Sequence, residues 1–175
     1  MIVVKKKMAL VFVLVMALAA FGFSASAQAA ESATQTVTFQ VDAINEISVT
    51  GTPSLIISTA TAGSEPDFAT DDTTTYAITT NESGKKITAA IDENMPQYVT
   101  LEVMLDAPIA EEGETGGTSA DYKVLSTTSQ DVVTGMGPVA SSLVKIYYKL
   151  SATAAAGVVT SGTKTVTFTI VGTTP

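Results

Sequence analysis

Short alternations of apolar and polar residues recur along this chain and limit what it can fold into. In residues 34–41, Val37, Phe39 and Val41 alternate with Thr and Gln, so an extended strand would carry the apolar side chains on one face. Thr, Val and Ile are frequent, and β-branched side chains favour strands. No long segment has the 3.6-residue period of a helix. The chain is therefore predicted to be all-β.

Turn signals divide these alternations into about nine short strands. One such signal is Gly51-Thr52-Pro53, which separates two apolar stretches. Many short strands with turns between them are typical of a sandwich, so we predict an immunoglobulin-like, two-sheet antiparallel β-sandwich. The predicted strands cover residues 34–41, 44–50, 54–59, 74–80, 85–92, 98–106, 122–127, 143–150 and 163–171.

The first 27 residues differ from the rest. Lysines at residues 5–7 precede an apolar run that ends at Phe21, and small residues follow up to Ala-Ser-Ala at residues 25–27. This three-part pattern predicts a secretory signal peptide, because the apolar run is short for a membrane span of about 20 residues. Cleavage would leave residues 28–175 as a single domain. We expect that domain to be secreted, and to work outside the cell or on its surface after passage through the periplasm.

Composition excludes several classes of function. After residue 27 the chain has six lysines, no arginine and 17 acidic residues, which is a formal charge of −11. Such a surface repels phosphate backbones, so no nucleic-acid partner is expected. The absence of His and Cys rules out the usual zinc sites, Ser-His-Asp triads and Cys-His pairs. We predict no enzymatic activity, no cofactor and no membrane span in the mature chain.

Carboxylates are the one side-chain type here that could hold a metal or act on a glycoside. Asp67, Asp71 and Asp72 are candidate calcium ligands, because calcium takes oxygen ligands from carboxylates and carbonyls. Their spacing matches no known calcium loop. Pairs of carboxylates also serve glycoside hydrolysis, but among 17 acids some pair will lie close by chance. The sequence therefore predicts no metal site and no hydrolase site.

The order of these features resembles the major pilins of the alternate chaperone–usher class, the colonisation-factor fimbriae of enteric pathogens. Ala43 departs from the pattern, because that family tends to have Pro there. The resemblance spans most of the chain after residue 27. It rests on the alternating strand that ends in Val41-Asp42, a Thr80-Asn81 turn before Lys85-Lys86, Val-Leu-Ser-Thr-Thr at residues 124–128, the strand at 143–150, an Ala-Gly-rich linker and a terminal Val/Thr strand.

The resemblance implies a sandwich that lacks one strand, with the gap filled by the N-terminal strand of the next subunit. It implies that Val37, Phe39 and Val41, with Ile44 as a fourth, fill pockets in that neighbour. The implied partners are further copies of the chain, which polymerise, and a periplasmic chaperone. Residues 163–170 repeat the pattern of residues 34–41, as they would if both filled equivalent slots in neighbouring subunits.

Two functions stay open at this level. The first is a structural subunit of a bacterial surface filament, which assembles by donating its N-terminal strand. The second is a monomeric secreted binding module that recognises a glycan or protein through its long loops, predicted at residues 60–73, 107–120 and 130–142. The residues alone do not decide whether residues 34–41 pair within their own domain or with a neighbour.

Overall fold

The computed structural model describes residues 32–172, so the predicted signal peptide lies outside the described residues. The chain divides into two compact units, Met1–Gln40 and Val41–Pro175. In the first unit, the described residues 32–40 form no helix or strand. The side chains of Val37 and Phe39 are exposed there.

The second unit is a two-sheet antiparallel β-sandwich, which confirms the predicted fold class. One sheet has the strand order β1-β2-β8-β4-β6, and the other has the order β5-β7-β3-β9. A single 3-10 turn, Ala154–Ala156, lies between β8 and β9. Within residues 32–172 no helix is both long and apolar enough to cross a membrane. The strands are β1 Asn45–Thr50, β2 Ala69–Thr80, β3 Lys85–Ile91, β4 Val99–Leu105, β5 Thr118–Ser119, β6 Lys123–Val124, β7 Gln130–Met136, β8 Val139–Ala152 and β9 Val166–Gly172.

The core forms because the strands alternate as the sequence predicts. Leu101, Val103 and Leu105 of β4 are buried, whereas the residues between them are only partly covered. β4 pairs with β8, so Val103 lies opposite Tyr148 and both side chains enter the core. Each large apolar side chain that is fully buried contributes about 1.5–3 kcal/mol. With no Cys in the chain, this burial and the two hydrogen-bonded sheets hold the sandwich together.

The predicted loop at residues 130–142 is wrong, because β7 and the first part of β8 occupy it. Gly135, Gly137 and Pro138 suggest a break in the sequence. In the structure, Gly135 takes φ 70° at an irregularity in the pairing of β7 with β3, so it bends the strand without ending it. Val132 and Val133 are buried and fix β7 against the core.

Three other predicted boundaries also change. β2 begins at Ala69, inside the predicted loop at residues 60–73. The predicted strands at residues 34–41 and 54–59 form no strand. An extended segment is assigned as a strand only when its backbone pairs with another, and neither segment has such a ladder in the part of the chain that the structure describes.

Residues 107–117 form a strap that is hydrogen-bonded to the hairpin between β7 and β8. The Thr115 N–H donates to the Pro138 carbonyl oxygen (3.0 Å), and the Gly137 N–H donates back to the Thr115 carbonyl oxygen (3.0 Å). The Ala140 N–H donates to Glu114 Oε1 (3.2 Å). Gly117 takes φ 84° where the strap meets β7. The strap is therefore a fixed part of the sandwich.

Two of the three glycines of this strap, Gly113 and Gly117, provide a matched test of its packing. A Cβ at Gly117 would lie 2.5 Å from the Thr134 carbonyl oxygen, whereas a Cβ at Gly113, with φ 85°, would meet nothing within 4 Å. Gly113→Ala should cost about 1–2 kcal/mol through its positive φ alone. Gly117→Ala should cost about 1–3 kcal/mol more because the strap must also move. Urea unfolding of both variants measures the difference, and equal losses would contradict this packing.

Candidate functional site

β1 and β9 form one side of the sandwich. These are the outermost strands of their sheets, and they lie near each other on the same side of the domain. β9 pairs with β3, and no strand within residues 32–172 pairs with its other edge. We call the side of the domain where these two edge strands meet the seam. It is the candidate functional site, because an unpaired edge is where another strand can add.

The seam is lined by apolar side chains that the domain covers only in part. Ile47 and Leu55 stand on the β1 side, and Val166, Phe168 and Ile170 stand on β9. All five pack against the core, yet none reaches the burial of the core residues. Four of them belong to the two edge strands, and Leu55 follows β1 in the chain. At the seam the domain therefore covers its own apolar side chains only in part.

The open edge strand is held firmly on its other side. β9 is in register with β3 along its whole length, from Val166 opposite Ile91 to Gly172 opposite Lys85. Asp92 fixes its beginning: the Asp92 N–H donates to the Thr165 carbonyl oxygen (3.1 Å), and Asp92 Oδ1 accepts from the Thr165 N–H (3.1 Å). The bond from Thr165 holds the pKa of Asp92 below its usual value. β9 thus presents a straight and anchored edge.

The structure places the four predicted donor residues in two different settings. Val37, Phe39 and Val41 are 72%, 88% and 78% exposed, in a stretch without helix or strand. Ile44 instead belongs to the base of β1, where its N–H donates to Asn81 Oδ1 (2.8 Å) and its carbonyl oxygen accepts from the Asn81 N–H (3.2 Å). Only the first three residues lie on a stretch that forms no helix or strand.

Asn81 also contacts residues earlier in the chain, a role that no pattern in the sequence indicates. Asn81 Nδ2 donates to the Asp42 carbonyl oxygen (2.7 Å), so one side chain and its own N–H hold residues 42–44. We call this set of three hydrogen bonds the Asn81 clasp. It requires the β2–β3 turn to meet the start of β1, and that contact spans 37 to 39 residues of sequence.

A second polar group supports the clasp from the same turn. Thr80 Oγ1 donates to Asn45 Oδ1 (2.8 Å), and Asn45 Nδ2 donates to Glu82. Lys85 forms an ion pair with Glu82 at 2.9 Å. The hydrogen bond from Asn45 and the contact with Lys85 hold the pKa of Glu82 below its usual value, so this carboxyl is ionised at neutral pH. The start of β1 is therefore fixed at two successive positions.

The structure does not bring the calcium candidates together. Asp67 accepts from Thr59 Oγ1 (2.7 Å), and Asp71 accepts from the N–H and the hydroxyl of Thr73 (3.0 and 2.8 Å). Burial tends to raise the pKa of Asp71, but the hydrogen bonds outweigh it and the pKa is lowered. In residues 32–172, no three acidic side chains are grouped in a way that could hold a metal ion. Asp67 thus bonds within the loop before β2, and Asp71 bonds at an irregularity within β2 itself.

The three loops of the binding-module hypothesis have also changed. β2 occupies the end of the loop at residues 60–73, and the loop at 130–142 is a strand hairpin. Residues 107–117 form the strap described above. Regular structure therefore replaces most of the predicted loop at residues 130–142, whereas residues 60–68 and 107–117 remain outside the strands.

Comparison with known proteins gives no relative from which a role could be carried over. No protein-family model, no curated protein and no solved structure matches this chain.

The open edge of β9 makes a prediction for backbone hydrogen exchange. In antiparallel pairing, successive backbone groups of an edge strand point alternately toward its partner and away from it. In a dilute, monomeric sample of residues 28–175, we expect amides of β9 to alternate between slow and fast exchange. Amides of β3, which lies between β7 and β9, should be slow throughout and serve as the internal control. Uniformly slow exchange along β9 would show that another segment already covers its edge.

Proposed function

We propose that this protein is a secreted structural subunit of a bacterial surface filament, and that residues 34–41 of one copy fill the seam of the next copy. One observation carries this proposal: the same chain has an alternating segment that forms no strand, and a sandwich whose edge strand β9 pairs on one side only within residues 32–172. The segment would pair its backbone with that edge, and its apolar side chains would cover those of the seam.

The dimensions and the side-chain pattern suit each other. At about 3.3 Å per residue, eight residues at 34–41 span about 26 Å, close to the length of the seven-residue strand β9. Alternation would direct Val37, Phe39 and Val41 inward between the two sheets. Thr36, Thr38 and Gln40 would then face water, as Thr167 and Thr169 of β9 do. Ile44 would stay with its own domain, where Asn81 holds it.

Magnitudes indicate that side chains alone would not drive insertion. Three buried apolar side chains contribute about 5–9 kcal/mol together. Ordering eight residues costs about 1–2 kcal/mol each, which is as much or more. Main-chain hydrogen bonds along β9 must supply the balance, and an unpaired strand edge offers them. This matches the known mode of strand addition, in which main-chain hydrogen bonds give affinity and side chains give specificity.

The same exposed surfaces explain why a partner would be needed before assembly. An open strand edge beside apolar side chains is prone to unspecific pairing. A chaperone in the periplasm that covers the seam would prevent this until a second copy arrives. The resemblance to colonisation-factor pilins supports the same scheme, as do the predicted signal peptide and the lack of any motif for catalysis.

A charge placed on the inward face of the segment should stop assembly. Phe39→Asp replaces a side chain whose burial is worth about 3 kcal/mol or more, so we expect association to weaken by more than about a hundredfold. Thr38→Asp is the matched control, because it adds the same charge one residue away on the outward face. Size-exclusion chromatography with light scattering should show a ladder of masses for the wild type and Thr38→Asp, and a monomer for Phe39→Asp. A wild type that stays monomeric, or a Phe39→Asp chain that still assembles, would refute the proposal.

A further inference from the structure

The Asn81 clasp lies at a position where it can influence which seam the N-terminal segment enters. It holds residues 42–44, immediately after the last inward-facing residue of the segment, Val41. Three backbone groups there, the carbonyl oxygen of Asp42 and both backbone groups of Ile44, are bonded to this one asparagine. The side chain of Asn81 thereby continues the β1–β2 ladder beyond its first strand pair, Asn45 opposite Thr80.

The strand directions show what pairing within one chain would require. β1 begins at the end of the sandwich where β2 ends, since Asn45 lies opposite Thr80. β9 ends at this same end, since Gly172 lies opposite Lys85, the first residue of β3. A segment lying in its own seam would have to run toward this end and then reverse into β1. The whole reversal would fall within residues 42–44, where the clasp is.

Such a reversal is incompatible with the clasp. A tight turn would rotate the backbone groups of residues 42–44 away from Asn81, and its hydrogen bonds would be lost. Pairing along β9 within one chain would also be parallel, which is slightly less stable per residue than antiparallel pairing. A segment that comes from a second copy needs no reversal, and it can approach β9 in the antiparallel direction.

If insertion of the N-terminal segment into the seam of its own chain cost no extra free energy, the chain would fill its own seam before that of a second copy. A tethered segment has an effective concentration on the order of 1 mM at its own domain, about a hundredfold above a second copy at ~10 μM. Assembly between copies therefore needs a feature that makes closure within one chain unfavourable. The clasp is at the residues where that penalty acts.

We propose that Asn81 is a positioning residue for assembly: it keeps the N-terminal segment from closing on its own domain and so leaves it available to a second copy. This inference rests on the proposed function. It adds that the ability to donate a strand depends on a side chain outside the strand. In a chain whose own segment cannot insert, acceptance of a strand should not depend on Asn81, because the seam is formed by β1 and β9.

The test separates donation from acceptance. The Phe39→Asp chain can accept a segment but cannot donate one, so a labelled sample of it reports donation by any chain mixed with it. We expect Asn81→Ala to donate at least about tenfold less than the wild type, the effect of losing a net one to two hydrogen bonds. The double variant Asn81→Ala/Phe39→Asp should accept wild-type segments normally. Ser83→Ala, an exposed change in the same turn, is the matched control and should leave both roles unchanged.

Each other outcome overturns the inference in a recognisable way. Undiminished donation by Asn81→Ala would show that the clasp has no part in assembly. Equal loss of donation and acceptance would show that Asn81 only stabilises the fold. If the wild type itself fails to donate to Phe39→Asp, the proposed function fails, and the inference falls with it without any result from an Asn81 variant.

Discussion

The backbone of β9 is paired on one side and open on the other, and the rest of the account depends on this asymmetry. A β-sandwich buries its core between two sheets, so each sheet edge must be covered, shortened or paired. At the far edges the strands are short: β5 and β6 have two residues each. β9 has seven residues with apolar side chains toward the core, and it has neither protection. The partial exposure of Phe168 and its neighbours follows from that missing pairing.

The general architecture was readable from the sequence because alternation directly encodes which face of a strand is buried. Leu101, Val103 and Leu105 could be assigned to the core from spacing alone, and the structure buries them. The predicted loop at residues 130–142 was wrong because Gly and Pro normally mark loops, whereas Gly135 here accommodates a bulge within a strand. Residues 34–41 alternate like a strand but form no ladder. Alternation shows that a segment can form a strand, whereas the strand itself also requires a neighbouring backbone to pair with.

The site was only partly predictable, for a related physical reason. Alternation identifies Val37, Phe39 and Val41 as candidates, because apolar side chains on one face of a strand are normally buried against another surface. No such pattern identifies Asn81, because an asparagine in a turn usually forms hydrogen bonds within that turn. Its bonds to residues 42–44 arise only after β1 and β2 have paired, and no local pattern contains that information. The hydrogen bonds of the candidate calcium ligands were not predictable either: Asp71 accepts from the N–H and the hydroxyl of Thr73, a residue whose backbone position depends on the irregular pairing of β2 with β8.

The central claim is that a segment of one copy lies along β9 of another, and cross-linking between single-cysteine chains tests it most directly. The chain has no Cys, so introduced thiols have no competitors. One chain would carry Thr38→Cys, on the outward face of the segment, and the other Thr169→Cys, on the outward face of β9. Directly paired strand positions bring Cβ atoms to about 4.5–5.5 Å, close enough for a disulfide to form with small adjustments. The account predicts a mixed dimer containing one chain of each kind. Absence of that dimer, with an internal disulfide in a single chain that carries both cysteines, would show that the segment closes its own sandwich.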